Sequence, residues 1–250
     1  MLRNSHLIPA AVYRSVRDSS NEPKSRTVHV TTAKSFRSDK QIKEYFLCHT
    51  CEQRFSVNGE RYVLGECDKG NGKFGLRELL QSHCVQVDLG KDKVFEVTAL
   101  LGDKTEQYLY FGASVFWRAA ARSWSFRDAT VAQLTFGTYQ EELRLYLLGK
   151  AGFPANGRLF VNVSSDNTTD VATPPLEGHL KVGQHEGPYY KFYIPGILFT
   201  LILGRELVSE CDAIALNSSK GKFMLLSPWK GDSLFQHIAA TAKQSTPRGW

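Results

Sequence analysis

The sequence has no long, uninterrupted hydrophobic run. Its most apolar stretch, residues 194–204, contains Pro195 and Gly196 and is about half as long as the roughly 20 residues that a membrane-spanning helix needs. Residues 1–11 contain no continuous apolar segment of the kind found in secretory signals. The sequence therefore predicts a soluble protein that is located in the cytoplasm and has no membrane partner.

Cysteine is scarce and odd in number, with five residues in a chain of 250. Without a visible export signal, this count argues against a framework of disulfides. Two of the five, Cys48 and Cys51, are separated by His49 and Thr50. This Cys-x-x-Cys spacing is typical of half a tetrahedral zinc site or of a redox pair, and buried structural thiols are the remaining alternative.

Acidic residues are few in the first fifth of the chain. Residues 1–44 contain nine basic and four acidic residues, so this segment carries nearly all of the formal net charge of +6. Such a segment is suited to contact a phosphate backbone. The candidate nucleic-acid-binding residues are Arg3, Arg14, Arg17, Lys40 and Lys43. Charge alone favours the simpler alternative of a solvated basic face.

The order of the predicted elements indicates an α+β protein, because strands and helices occur in runs and do not alternate regularly. Periodicity predicts helices over residues 9–17, 52–64, 74–82, 105–124, 139–148 and 233–243. It predicts strands over residues 27–32, 44–48, 84–89, 94–100, 158–163, 190–193, 197–203, 213–216 and 223–226, with a long loop over residues 164–188. We expect two units, a small finger module over residues 1–90 and a larger α+β domain over residues 91–250.

Two short segments resemble a known family. The first is Ser5-His6-Leu7-Ile8-Pro9, and the second is Phe46-Leu47-Cys48-His49-Thr50-Cys51-Glu52. Together they resemble the HNH (ββα-metal) endonuclease-like proteins of bacteria, in which a Ser-His-Ile-Ile-Pro-like segment precedes a Leu-Leu-Cys-x-x-Cys-Glu segment. A later segment, residues 111–118, is also similar to members of that group.

The resemblance implies a chemistry. His6 would be the general base that takes a proton from the water attacking phosphorus, a role for which imidazole has a suitable pKa. Cys48 and Cys51 would hold a structural zinc ion. Glu52, where the helix begins, would bind catalytic Mg²⁺ or Mn²⁺ through its carboxylate. The implied substrate is the phosphodiester backbone of DNA.

The sequence also departs from that family. A second Cys-x-x-Cys pair usually precedes the histidine segment, and here only residues 1–4 do. The zinc site therefore lacks two ligands unless Cys67, His83, Cys84 or His49 supply them. Ser5 stands where the family often has an aspartate, and the central asparagine has no counterpart near Lys43.

Several other residues have simpler interpretations. Glu60, Arg61 and Arg118 are possible substrate contacts, but an ion pair or a solvated face is the favoured interpretation. Trp117 and Trp124 are expected in the core rather than stacked on a base. Two functions remain open: an HNH-like metal-dependent nuclease, and a non-catalytic zinc-finger-like protein that binds nucleic acid or another protein.

Overall fold

The structure is a computed structural model that describes residues 1–18, 28–30, 35–37, 41–126, 129–166, 171–231 and 236. Both helices and strands are present and the main sheet is mixed, so the expected α+β class is confirmed. Lys40 and nearly all of the predicted helix over residues 233–243 lie outside the described residues. Within the described ranges, no helix has the length and apolar character needed to cross a membrane.

A seven-stranded sheet forms the centre of the molecule, in the strand order β10-β11-β12-β9-β13-β6-β5. Neighbouring strands are antiparallel, except that β13 runs parallel to β9. The strands are β5 (Val87–Asp88), β6 (Lys93–Glu96), β9 (Gly157–Ser164), β10 (Leu176–Val182), β11 (His185–Ile194), β12 (Ile197–Leu203) and β13 (Phe223–Ser227).

Three two-stranded pairs lie outside this sheet. They are formed by β1 (Leu2–His6) with β4 (Lys43–Cys48), β2 (Val28–Val30) with β3 (Ser35–Arg37), and β7 (Trp124–Phe126) with β8 (Ala129–Ala132). The β1–β4 pair is antiparallel, with Leu2 opposite Cys48 and His6 opposite Lys43. This pairing brings the first residues of the chain beside a helix that begins more than forty positions later.

The helices pack around the sheet and the β1–β4 pair. They are α1 (Ala10–Asp18), α2 (His49–Phe55), α3 (Arg61–Gly65), α4 (Gly75–Gln81), α5 (Thr98–Leu101), α6 (Lys104–Ala121), α7 (Tyr139–Leu147) and α8 (Arg205–Cys211). A π-helical turn, Ser56–Glu60, joins α2 to α3. Short 3-10 turns lie at Asp212–Ile214 and Trp229–Gly231.

The long helix α6 connects the N-terminal elements to the sheet. On one side Gly59 of the π-helical turn lies so close that an added Cβ would be 2.9 Å from the backbone nitrogen of Phe111. On the other side Gly112 allows Leu159 of β9 to pack against the helix backbone. Residues from both predicted units therefore share one hydrophobic cluster.

Aromatic side chains fill the contact between β4 and α6. The ring of Phe46 lies 5.4 Å from that of Trp117 and 5.5 Å from that of Trp124. Trp124 is fully buried, and its indole N–H donates to the backbone oxygen of Arg118 at 2.8 Å. The expectation of a core position is confirmed for Trp124, whereas Trp117 is partly buried and packs against the core.

Some predicted elements are wrong. The predicted loop over residues 164–188 contains β10 and the start of β11, and the predicted strand at 213–216 is a 3-10 turn followed by extended chain. In that turn, the Asp212 carboxylate accepts hydrogen bonds from Ser218 and Ser219, which favours a tight turn over a strand. The predicted long helix ends at Ala121, so Trp124 lies in β7.

Candidate active site

The N-terminal elements form a strand–strand–helix unit. His6 is the last residue of β1, and Cys48 ends β4 and caps α2 with extended backbone angles. Ser5 is buried, and its hydroxyl accepts a hydrogen bond from the Leu47 N–H at 3.0 Å while donating to the Arg3 carbonyl at 3.2 Å. Ser5 therefore joins the two strands at the irregularity between Arg3 and Asn4, which is a structural role.

A cavity of about 490 Å³ opens beside this unit. Elements that are distant in sequence contribute to its wall: the end of β1, the first turns of α1, the helical segment from α2 to α3, and the last turn of α6. Its polar lining consists of His6, Arg14, Glu52, Ser56, Glu60, Arg61 and Arg118. The structure therefore brings the predicted base, His6, and the predicted metal ligand, Glu52, into one site.

His6 is half-buried and is oriented by a side chain. Its Nε2 lies 2.6 Å from Oε1 of Gln41, and since an amide oxygen only accepts, Nε2 carries the proton. The lone pair of the neutral ring is then on Nδ1. Burial lowers the pKa of His6, Gln41 and Glu52 act in the opposite direction, and Lys43 and Arg118 add to the lowering. The neutral, proton-accepting form is therefore favoured near pH 7.

Glu52 has a carboxylate oxygen without a hydrogen-bond partner. Its Oε1 is buried, and no donor among the described residues contacts it. A buried carboxylate oxygen is costly unless a proton donor, a water molecule or a cation satisfies it. The donor chemistry fits Mg²⁺, which binds proteins through one or two carboxylates and keeps several waters.

The π-helical turn keeps three cavity residues on one face. Glu52, Ser56 and Glu60 are each four positions apart, and all three line the cavity. In an α-helix with about 3.6 residues per turn, this spacing drifts around the axis, and the wider π turn counteracts the drift. Gly59 permits the turn to lie directly on α6, which places Glu60 next to Arg118.

Arg118 forms an ion pair with Glu60 inside the cavity wall. The exposed fraction of the side chain is 2% for Arg118 and 15% for Glu60. The Arg118 guanidinium also lies 4.8 Å from the centre of the Phe55 ring, a cation–π contact. The favoured interpretation of an ion pair is confirmed for this pair, but Arg118 lines the cavity as well.

The predicted nucleic-acid-binding residues occupy different positions. Arg14 of α1 lines the cavity. Arg3 and Lys43 are exposed on β1 and β4 and do not line it. Arg17 lies in α1, but its side chain is outside the described structure, and so is the whole of Lys40. Of the five candidates, the structure therefore places Arg14 at the site.

Cys48 and Cys51 lie side by side at the start of α2, with their sulfurs 3.5 Å apart. Hydrogen bonds from the Cys51 backbone N–H and thiol lower the pKa of Cys48, whereas burial raises the pKa of Cys51. The pair supplies two of the four ligands of a tetrahedral zinc site. No group of three or more His, Cys, Asp or Glu side chains suited to a metal is found in the described ranges.

The other candidate zinc ligands are not brought into such a group. The Cys67 thiol is buried in the core and donates to the Val63 carbonyl. Cys84 is exposed. In His83, Nδ1 lies 2.8 Å from the Leu79 carbonyl. His49 is exposed on α2. The suggestion that these residues complete the site has no support in the described structure.

Sequence reasoning missed Gln41. It lies two positions before β4, and nothing in its local sequence marks it as functional. Its role depends on the pairing of β1 with β4, which brings it to His6 across 35 positions of sequence.

Comparison with known proteins gives no relative. The chain matches no family model, no curated protein and no solved structure. The functional argument therefore depends on the cavity and on the residues that line it.

Proposed function

We propose that this protein is an HNH-like, metal-dependent nuclease that hydrolyses phosphodiester bonds in DNA. The observation that carries the proposal is that His6 and the unpartnered Glu52 oxygen share one cavity with three arginines. The packing of α2 beside the β1–β4 pair supports it, because His6 ends β1 and Glu52 lies in the first turn of α2.

In this proposal, His6 is the general base. Gln41 holds the Nε2–H, so Nδ1 accepts the proton of the attacking water. The lowered pKa keeps most of the imidazole neutral at physiological pH, so the ring is ready to accept a proton. Arg14 and Arg61, which line the same cavity, attract the phosphate backbone.

Glu52 is the proposed ligand of the catalytic divalent metal. Mg²⁺ or Mn²⁺, when bound, supplies positive charge that stabilises the developing negative charge on the phosphate and the leaving oxygen. The role of the protein is to keep the Glu52 oxygen buried and unpaired, so that it is available to a cation. We also propose that Cys48 and Cys51 provide two ligands of a structural zinc ion.

The alternative function is that of a non-catalytic, zinc-finger-like protein that binds nucleic acid or another protein. One observation favours it: Ser5, at the position where the family often has an aspartate, is occupied by hydrogen bonds between the strands. In this alternative, the cavity binds phosphate but the metal and base are not used.

Plasmid cleavage with Mg²⁺ or Mn²⁺ tests the proposal. We expect the wild type to cleave DNA and His6→Ala to be slower by at least about 100-fold, the range for loss of a general base. His179→Ala is the matched control, since His179 is exposed on β10. Equal cleavage by His6→Ala and wild type removes His6 from the mechanism. DNA binding by the wild type without cleavage favours the alternative.

A further inference from the structure

Arg118 is buried and yet belongs to the wall of the cavity. Only 2% of its side chain is exposed, and it comes from α6, outside the segments that carry His6 and Glu52. Its charge contributes to the lowering of the His6 pKa. Burying an arginine beside a proposed catalytic base costs desolvation free energy, which partners of the charge must offset.

The partners of Arg118 leave part of its hydrogen-bonding capacity unused. A guanidinium has five N–H donors, and one of them reaches Oε1 of Glu60. The Nε–H is buried with no acceptor among the described residues. Glu60 and the Phe55 ring hold the group in place from two directions. The side chain is therefore fixed before any ligand arrives.

We propose that Arg118 is a phosphate-binding residue that holds the non-bridging oxygens of a nucleic-acid phosphate in the cavity. A planar guanidinium matches phosphate oxygens with paired hydrogen bonds, which an ammonium group does not reproduce. Because Glu60 and Phe55 have already fixed the side chain, little further conformational entropy is lost when phosphate binds. This inference rests on the proposed function in one respect, which is that the phosphate belongs to a nucleic acid.

The cavity charge agrees with an anionic ligand. Three arginines and two glutamates line it, and with neutral His6 the cavity has a surplus of one positive charge. Arg14 and Arg61 are exposed, so they attract phosphate over a distance. Arg118 is the buried one of the three, so its contact is expected to determine the position of the bound phosphate in the cavity.

The test is the affinity for a fluorescent DNA duplex of about 20 base pairs, measured from about 50 to 200 mM salt. No Mg²⁺ or Mn²⁺ is added, so that no cleavage occurs, and no chelator is used, so that the proposed zinc ion is retained. The key variant is the double substitution Glu60→Gln with Arg118→Gln. It removes both members of the buried ion pair, so the net charge is unchanged and no unpaired charge is left inside. The matched control is Glu141→Gln with Arg144→Gln, which removes an exposed ion pair from α7.

We expect the Glu60/Arg118 double variant to bind about tenfold more weakly, with a salt slope smaller by about 0.9, the loss of one phosphate contact. The control double variant is expected to bind as the wild type does. Arg118→Lys keeps the charge and is expected to lose several-fold in affinity, because an ammonium group does not form the paired hydrogen bonds. It provides the same comparison if the double variant does not fold.

Two results overturn the inference. One is wild-type affinity and salt slope in a folded Glu60/Arg118 double variant, or wild-type affinity in Arg118→Lys. The other is no DNA binding by the wild type at the lowest salt. Cleavage is not measured in this experiment. A protein that binds DNA through Arg118 but does not cleave it with Mg²⁺ or Mn²⁺ therefore contradicts the proposed nuclease and leaves this inference intact.

Discussion

Nε2 of His6 donates a hydrogen bond of 2.6 Å to the side-chain oxygen of Gln41, which precedes the strand that pairs with His6. The bond fixes the tautomer of the ring and keeps Nδ1 as the proton acceptor. It also raises the pKa of His6, although burial has the larger effect and the net pKa lies below the ordinary value of 6.5.

The first prediction concerns this bond and pH. Burial lowers the pKa of His6 and keeps the ring neutral near pH 7. If His6 is the base, as proposed, cleavage is expected to fall as pH drops through the lowered pKa. Gln41→Ala removes the hydrogen bond that raises the pKa, so the acidic limb moves to still lower pH. An NMR titration of the His6 ring checks the direction without depending on activity. An upward shift in Gln41→Ala contradicts the assigned tautomer.

The same pKa shift has a consequence for stability. Since the folded-state pKa of His6 is below the unfolded value, the stabilising contribution is complete above about pH 6.5 and is lost as pH falls through the folded pKa. We expect His6→Gln to reduce the loss of melting temperature in acid. If the melting temperature of His6→Gln falls in acid as much as that of the wild type, groups other than His6 control the acid sensitivity.

The second prediction concerns Glu52. Glu52→Gln keeps the shape but removes the charge of the buried, unpartnered oxygen. We expect Mg²⁺ to bind about tenfold more weakly, because a ligating carboxylate is lost. We expect the melting temperature without metal to stay the same or rise, because a buried charge is removed. Calorimetric titration with Mg²⁺ measures the first effect, and Glu177→Gln, exposed on β10, is the control. Equal Mg²⁺ affinity in Glu52→Gln would place the metal elsewhere.

The third prediction concerns the contact between the π-helical turn and α6. An added Cβ at Gly59 would lie 2.9 Å from the Phe111 nitrogen and 3.0 Å from the Gln107 oxygen, and backbone atoms cannot move aside cheaply. Gly59→Ala is therefore expected to lower the free energy of unfolding by about 1–3 kcal/mol. Gly75→Ala is the control, because no atom lies within 4 Å of its added Cβ. Urea unfolding measures both, and equal stability of Gly59→Ala and wild type contradicts the close packing.

The fourth prediction concerns Cys48 and Cys51. If the pair ligates zinc, Cys48→Ser lowers zinc content and melting temperature together, because ligation and folding are coupled. Cys84→Ser, at an exposed thiol, is expected to change neither. Elemental analysis and thermal unfolding are measured on the same preparation. A metal-free wild type with the same stability as Cys48→Ser rejects the zinc site.

The sequence predicts best those elements whose pattern is local. The helix over residues 139–148 and the strands over 158–163, 197–203 and 223–226 are confirmed within one or two residues, because their apolar spacing is clear. The helix over 52–64 is confirmed, but it begins at His49 and contains a π turn around Gly59. Gly59 weakens the helix pattern, but in the structure it lets the turn pack directly on the backbone of α6.

The sequence fails where structure depends on distant partners. Leu2–His6 is short and mostly polar, and its strand character comes from pairing with β4. The strand β10 was missed because residues 164–188 are rich in Ser, Asp, Asn, Thr, Gly and Pro, a composition typical of loops. Its Gly178 leaves room for the Tyr189 ring of the neighbouring strand. In the site, His6 and Glu52 follow from motifs, whereas Gln41 and the cavity role of Arg118 require the fold.

The sharing of α6 between the cavity and the sheet limits how the molecule can be divided. A cut at residue 90 would run through the turn between β5 and β6, and the N-terminal piece would lose Arg118 and the tryptophans that cover Phe46. Grafting residues 1–90 onto another protein would transfer His6 and Glu52 without the buried arginine beside them. Protein engineering that aims to move this site to a new host will therefore have to carry α6 and its sheet as well.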